Sequence, residues 1–183
     1  VANMVQQLAY GLAHAKEYLN HFSNTASTSS KETFPITFKA SVGSNYFFEI
    51  AKLRALRWLW RTLAKNYGIT SDCHILAFPT QRNKTLYDYN VNMLRSTSEC
   101  MSAVLGGADT VHNQAYDAIY HKDNEFGDRI ARNQLLLLKD ESYFGNGAKA
   151  ASGSYYVESL TQQLAEKALV LFKQLESAGG FLS

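Results

Sequence analysis

The sequence predicts an α/β fold: part of a TIM (β/α)8 barrel, with about four βα units and parallel strands surrounded by outer helices. Amphipathic helical segments and short β-prone runs alternate at least three times along the 183 residues, which favours a parallel sheet with helices outside it. Residues 95–134 show the pattern most clearly, with an apolar-periodic helix, a Gly-Gly stop, a short β-prone run and a polar cluster. In such scaffolds, side chains at the carboxyl ends of strands carry the chemistry.

The length limits how much of a barrel is present. A complete barrel needs about 250 residues, whereas this sequence supplies three clear strands and a possible fourth. A chain of 183 residues with 46% hydrophobic residues suits a single packed domain. Because the sequence also begins within a helical pattern, we interpret residues 1–183 as one domain, the C-terminal half of the TIM-barrel domain of a longer subunit.

The first half of the sequence predicts helix, strand and helix. Residues 2–22 form an amphipathic helix, because apolar residues recur three and four apart, at Val5, Leu8, Ala9, Leu12, Ala15 and Leu19. Residues 23–31, rich in Ser, Thr and Asn, predict a mobile connection. A strand is expected over residues 34–42. A long helix over residues 46–66 ends before Gly68.

The second half alternates in the same way. Its predicted elements are a strand over residues 73–78, a helix through Val91, Leu94, Met101, Val104 and Leu105, a strand over residues 109–112, a helix over residues 125–140, a possible fourth strand between Ala148 and Tyr156, and a last helix through Leu160, Leu164, Leu171 and Leu175. The run at residues 73–78 is apolar throughout, which is typical of a strand buried on both faces.

Composition and charge exclude several function classes. Eighteen Lys and Arg against sixteen Asp and Glu leave a net charge of +2, without a basic run, so nucleic acid is not an expected partner. No stretch is apolar enough to span a membrane, and no export signal begins the sequence. Cys73 and Cys100 are interpreted as two buried reduced thiols, which suits a cytoplasmic protein.

Half a barrel leaves two unpaired edges, so we expect the isolated chain to form a dimer.

Five segments, in the same order, resemble conserved blocks of the methylmalonyl-CoA mutase family. They are residues 1–9 (VANMVQQLA), 47–55 (FFEIAKLRA), 103–107 (AVLGG), 130–134 (IARNQ) and 153–158 (GSYYVE). Each block alone is a weak signal, because a Gly-Gly pair after a helix is simply a common stop. Five blocks in the same order, spread from residue 1 to residue 158, extend the resemblance over nearly the whole chain and identify it as a relative of these mutases.

The resemblance implies the acyl-CoA-binding barrel of an adenosylcobalamin-dependent isomerase. Such enzymes interconvert methylmalonyl-CoA and succinyl-CoA by radical rearrangement, with CoA threading the barrel and cobalamin held between the barrel's carboxyl face and a flavodoxin-like domain. That domain carries an Asp-x-His-x-x-Gly motif with the cobalt-ligating His, and this sequence lacks the motif. Its five His residues also lack metal-ligand spacing. The cofactor is therefore expected on a large subunit, with no cofactor or metal on this chain.

The departures from the family pattern point away from catalysis. Catalytic chains resemble the strand at residues 74–78 but end it with a His, followed by Cys-Gln-Thr-Ser-Gly, and that His bonds the substrate's thioester carbonyl. Here Phe78 stands at that position, and a phenyl ring donates no hydrogen bond. His112 is kept but its neighbours differ, and Ser152 replaces a Gly. These changes resemble the small, non-catalytic subunits of heterodimeric family members, whose partner is a large subunit.

Several candidate residues have both a functional and a structural interpretation. No catalytic residue is expected, and Phe78, His112 and Gln134 are treated as degenerate site positions. His112 could still contact substrate or could be a helix cap, and Gln134 could lie near the active site or hydrogen-bond to neighbouring loops. Arg54, with Lys52, could meet CoA phosphates or belong to a solvated face. Trp58 and Trp60 cannot share one helix face, so one is expected in the core and the other at an interface.

Two other functions remain open from the sequence. The first is a catalytically competent mutase for another acyl-CoA, with Phe78 accommodating a more apolar acyl group. The second, independent of the resemblance, is a barrel enzyme for a phosphate-bearing ligand. The structural small-subunit role predicts that the isolated chain binds neither acyl-CoA nor cobalamin.

Overall fold

The computed structural model describes residues 2–25, 34–122, 124–146 and 150–182. Within them, helices and strands alternate in the predicted order as far as the third strand, after which only helical elements follow. The elements are α1 (Met4–Thr25), β1 (Thr37–Val42), α2 (Tyr46–Lys65), β2 (His74–Pro79), α3 (Val91–Leu105), β3 (Thr110–Val111), α4 (Glu125–Leu136) and α5 (Tyr155–Ser177). The predicted α/β class is therefore confirmed.

The three strands form a parallel sheet in the order β1-β2-β3. Thr37 pairs with His74 and Val42 with Pro79, while Leu76 pairs with Thr110. Each crossover is helical, as parallel pairing requires. Within the described residues β1 and β3 each have one free edge, so the sheet is open rather than a closed barrel.

The possible fourth strand is wrong for the residues that the structure describes. Residues 151–153 form a turn and α5 already begins at Tyr155. Gly153 has a φ of 82°, a left-handed conformation that interrupts an extended chain. Residues 148 and 149 lie outside the described residues. The described part of the chain therefore holds three strands rather than about four βα units.

The helix boundaries agree with the sequence at most positions. α2 stops two residues before Tyr67, and Gly68 follows with a φ of 73°. α1 continues to Thr25, so the predicted connection is wrong for residues 23–25; within this last turn the Ser23 hydroxyl donates to the Asn20 carbonyl (3.0 Å). The rest of the predicted connection, residues 26–31, lies outside the described residues. A π-helical turn, Leu137–Glu141, extends α4 over the end of its predicted range.

The helices cover one face of the sheet. Val42, Ile75 and Ala77 are buried in the main core together with apolar residues of α1, α2 and α5. α5 packs against α1 and α2 rather than against the strands. Trp60 of α2 is 0% exposed, whereas Trp58 is 52% exposed, so the prediction that only one of the two tryptophans is in the core is confirmed.

The second face of the sheet is not covered by these helices. Along β2, the exposed His74 and the half-buried Leu76 and Phe78 alternate with the buried residues. The expectation of a strand buried on both faces is therefore wrong in this structure, because the described helices lie on the other face. The His74 ring is within hydrogen-bonding distance of the Thr110 hydroxyl (2.9 Å) on the uncovered face.

Both cysteines are free and buried, as predicted. Burial raises the pKa of each thiol to about 12, so neither is a ready nucleophile.

None of the described helices combines the length and the apolar character needed to cross a membrane.

Candidate functional site

The carboxyl ends of the three strands meet at one edge of the sheet, because all strands are parallel. The segments after β1 and β2 border a cavity of about 530 Å³ there, and the start of α1 closes one side. In parallel α/β sheets this edge is where ligand sites form. We therefore take it as the candidate functional site.

Phe78 and His112 lie beside each other at this edge. The backbone N–H of His112 donates to the carbonyl of Ala77 (2.9 Å), which continues the β2–β3 ladder by one residue. Val111 packs against the core, so His112 points with Phe78 to the uncovered face. Phe78 is half-buried and His112 is exposed. The structure thus brings together two of the candidates that the sequence suggested.

Gln134 is buried behind the strand ends. Its amide nitrogen donates to the Met93 carbonyl and to the Thr97 hydroxyl (both 2.7 Å), and its amide oxygen accepts from the Asn113 side chain (2.7 Å). Asn113 also donates to the Ala131 carbonyl (3.1 Å). These bonds join α3, α4 and the segment after β3, which favours the structural interpretation of Gln134.

Glu99 of α3 is the centre of a second buried cluster, behind the loop that follows β2. Its carboxylate pairs with Lys84 (2.6 Å) and accepts a hydrogen bond from Asn83, whose carbonyl accepts from Arg95. Burial raises the pKa of Glu99; Lys84 and Asn83 oppose the rise, and the charge of Glu49 adds to it. The cluster fastens the loop to α3.

Lys52 is buried rather than solvated. Its ammonium lies 2.5 Å from the Glu49 carboxylate and donates to the Ser41 carbonyl (2.6 Å) and the Gln7 side chain (3.3 Å). These contacts join α1, β1 and α2 beside the cavity. The expectation of a solvated face is wrong for Lys52, and its engaged ammonium does not suit a phosphate site.

Arg54 lies elsewhere, in a groove between α2 and α5. Its guanidinium pairs with Glu158 and approaches the Ser152 hydroxyl (3.4 Å). The hydrogen bond from the Gly153 amide is the largest influence that lowers the pKa of Glu158, and Arg54 lowers it further. The structure does not bring Arg54 together with the candidates at the strand ends.

Sequence reasoning missed the polar face of α3. The helix was predicted from its apolar residues, yet Leu94 is 72% exposed, whereas Asn92, Ser96, Glu99 and Ser102 are buried. Those polar residues recur at three- and four-residue spacing, which was the available signal. Polar residues are normally assigned to the solvent face, so the sequence predicts the wrong face of α3 to be buried.

Among the described residues, no group of three or more His, Cys, Asp or Glu side chains could hold a metal ion.

A family model described as methylmalonyl-CoA mutase matches residues 2–183. The chain belongs to the methylmalonyl-CoA mutase family. The resemblance drawn from the five sequence blocks is therefore confirmed.

Relatives in this family include both kinds of subunit. The chain is 40% identical to a methylmalonyl-CoA mutase small subunit of Porphyromonas gingivalis, over 98% of this chain and 30% of that protein. It is 36% identical to a methylmalonyl-CoA mutase of Cereibacter sphaeroides, over 98% of this chain and 26% of the relative. A large subunit of P. gingivalis is 33% identical over 95% of this chain and 25% of its own length. The chain thus spans less than a third of these relatives.

Proposed function

We propose that this chain is part of the barrel of a methylmalonyl-CoA mutase small subunit, with a structural role in assembly beside a catalytic large subunit. The complete enzyme would isomerise methylmalonyl-CoA and succinyl-CoA. The position of Phe78 carries the proposal: it is the last residue but one of β2 and lies on the uncovered face, beside His112. Stabilising charge on a thioester oxygen needs a hydrogen-bond donor at that place, and a phenyl ring supplies none.

The open sheet supports the barrel part of the proposal. Two free strand edges and an uncovered face, seen in the described residues, would be completed by further strands. We therefore keep the interpretation of residues 1–183 as one domain, the C-terminal half of a TIM barrel. Sedimentation equilibrium of the isolated chain should show a dimer formed through these edges, and a well-folded monomer at micromolar concentration would contradict that.

We also propose that adenosylcobalamin, which supplies the family's radical chemistry, is held by the large subunit. The residues behind the strand ends do not fit a cofactor site, because their polar atoms are already engaged: Gln134 bonds to Asn113 and to the Met93 carbonyl, and Glu99 pairs with Lys84. A cytoplasmic location remains a proposal that rests on the two free cysteines.

Calorimetry tests the structural role directly. The complete polypeptide that carries this chain, titrated alone with methylmalonyl-CoA and with adenosylcobalamin, should show no saturable binding. Saturable binding near micromolar affinity would instead favour the alternative, a competent mutase for another acyl-CoA. The half-buried Phe78 gives that alternative its support, because the ring offers apolar surface to an acyl group.

The substitution Phe78→His gives a second test, made with the large subunit present. The loop after β2 is fastened to α3 through Asn83 and Lys84, and Gln134 is engaged in packing. We therefore expect no added turnover from the restored imidazole. A gain of turnover at a second site would show that the site lost its activity through this side chain alone.

A further inference from the structure

Two chain segments follow neighbouring strands at the carboxyl edge of the sheet. The β2 segment, residues 80–90, forms part of the wall of the strand-end cavity through Thr80, Arg82 and Asn83. Of the described residues, those that line this cavity include no member of the β3 segment, residues 113–122. The contacts between the two segments therefore decide whether the cavity wall can move independently of the rest of this edge.

Asn92, in the first turn of α3, bonds to both segments. Its amide oxygen accepts from the backbone N–H of Thr85, and its amide nitrogen donates to the carbonyl of the same residue (both 2.9 Å). The nitrogen also donates to the Tyr116 carbonyl in the β3 segment (3.0 Å). An asparagine amide has two N–H donors, so both donors of Asn92 are engaged, and the residue is 0% exposed. One buried side chain thus holds backbone groups of both segments.

Side-chain contacts also join the two segments directly. The centroid of the Tyr89 ring lies 6.0 Å from that of Tyr116 and 5.6 Å from that of Tyr120, distances at which aromatic rings attract each other. The side-chain amide of Gln81 donates to that of Gln114 (3.3 Å). Contacts therefore connect the beginnings of the two segments as well as their later parts.

The β2 segment has a further anchor on α3 that the β3 segment does not share. Arg95 donates to the Asn83 carbonyl. Within the described residues, the hydrogen bonds of the Arg95 side chain reach only the β2 segment. A change at Arg95 therefore acts directly on one of the two segments.

We propose that the β2 and β3 segments open and close as a single body, coupled by Asn92, so that the β3 segment controls a cavity wall to which it contributes no residue. If one segment opened alone, the other would still cover Asn92 and shield its freed amide atoms from water, which is costly. If both open together, water reaches Asn92 and the backbone groups that it held. Joint opening is therefore favoured over the opening of either segment alone.

Amide hydrogen exchange in the complete polypeptide that carries this chain tests the coupling. Arg95→Met loosens the β2 segment directly, because it removes the bond to the Asn83 carbonyl. Exchange in the β2 segment should accelerate about 10-fold, and exchange in the β3 segment should accelerate by a similar factor. The amides of α5, which packs against α1 and α2, are the internal control and should exchange at their unmodified rates.

Two results with Asn92 intact would overturn the proposal. Unchanged exchange in the β3 segment of Arg95→Met would show that the segments open separately. Equal acceleration in α5 would show that they exchange through unfolding of the whole domain rather than through an opening of their own. Neither result depends on a substitution at the buried Asn92.

The double variant tests the role of Asn92 itself. Asn92→Ala removes all three bonds to the two segments. In that background, adding Arg95→Met should accelerate exchange in the β2 segment and leave the β3 segment unchanged. If both segments still accelerate together, Asn92 is not the coupling residue and that part of the proposal is wrong.

Discussion

The two ends of the sheet are both held by charged and polar side chains, but in opposite environments. At the amino ends, Arg57 bonds two carbonyls and pairs with carboxylates that are more than a third exposed. At the carboxyl ends, Lys84 and Glu99 form a pair whose side chains are 6% and 0% exposed. Exposed ion pairs contribute little to the free energy of unfolding, so breaking one costs little. A buried charge left without its partner lowers that free energy much more. The carboxyl end is therefore the end at which single substitutions should matter most.

The two ends also respond to acid in opposite directions. Burial alone would raise the pKa of Asp109, but Arg57 and the Ile75 amide hold it below its usual value. Asp72 behaves in the same way through Arg61 and Arg57. Stability from these groups is present above their unfolded pKa and is lost as pH falls through the folded pKa. Glu99, whose pKa burial raises, has the opposite effect. Its contribution to stability increases as pH falls, because protonation removes the cost of a buried charge.

The largest expected effect is at the carboxyl end, from Lys84→Met. This change leaves the Glu99 carboxylate buried without its cation, and it should lower the free energy of unfolding by about 3–5 kcal/mol. Urea denaturation at neutral pH measures the loss. The matched control is Arg61→Met, which breaks an exposed pair with Asp72 and should cost under about 1 kcal/mol.

A second variant separates charge from shape in this cluster. Adding Glu99→Gln to Lys84→Met removes the orphan charge and should recover most of the lost stability, since the buried pair is worth little against a neutral replacement. Equal losses in Lys84→Met and Arg61→Met would mean that the two ends of the sheet do not differ in the way proposed.

The next effect is expected from Gln134→Leu, also at the carboxyl end. The substitution leaves the Met93 carbonyl and the Asn113 amide without their buried partner, which should cost about 2–3 kcal/mol. Asn133→Leu, at the exposed neighbouring position, serves as the control and should change stability by under about 0.5 kcal/mol. A melting temperature unchanged in Gln134→Leu would restore the possibility that this side chain serves a ligand.

Those two clusters also mark the limit of what the sequence could predict. The helices α1 and α2 follow from apolar periodicity, and the meeting of Phe78 with His112 follows from parallel strands whose ends share one edge. The Glu99–Lys84 pair could not be predicted, because periodicity assigns charged residues to solvent and contains no information on which loop returns to pair with them. The turn at Gly153 differs from the fourth strand that the alternation of strands and helices predicts. The Gly and Ser residues of this segment favour a turn over a strand.

At the amino end, Arg57→Met should cost about 1–2 kcal/mol at neutral pH, since it removes two charge-assisted hydrogen bonds to carbonyls in a half-buried setting. The cost should shrink as pH falls from about 4, the usual carboxyl pKa, through the lower folded pKa of Asp72 and Asp109, because protonation of the two carboxylates removes their pairing with Arg57. Urea midpoints of the two proteins at neutral and acid pH give the comparison. A cost that grows with acidity would contradict the depressed pKa values.

The smallest effect is expected from His112→Ala, although His112 lies at the same end as Glu99 and Gln134. Its side chain is exposed and its structural contribution is the backbone bond to Ala77, which alanine keeps. Stability should change by under about 0.5 kcal/mol, and association with the large subunit and turnover of the assembled enzyme should be unaffected. A loss of turnover without a loss of stability would contradict the structural role, because it would show that an exposed imidazole beside Phe78 still acts on a substrate. The carboxyl end would then divide into a buried layer that holds the fold and one exposed residue that serves the reaction.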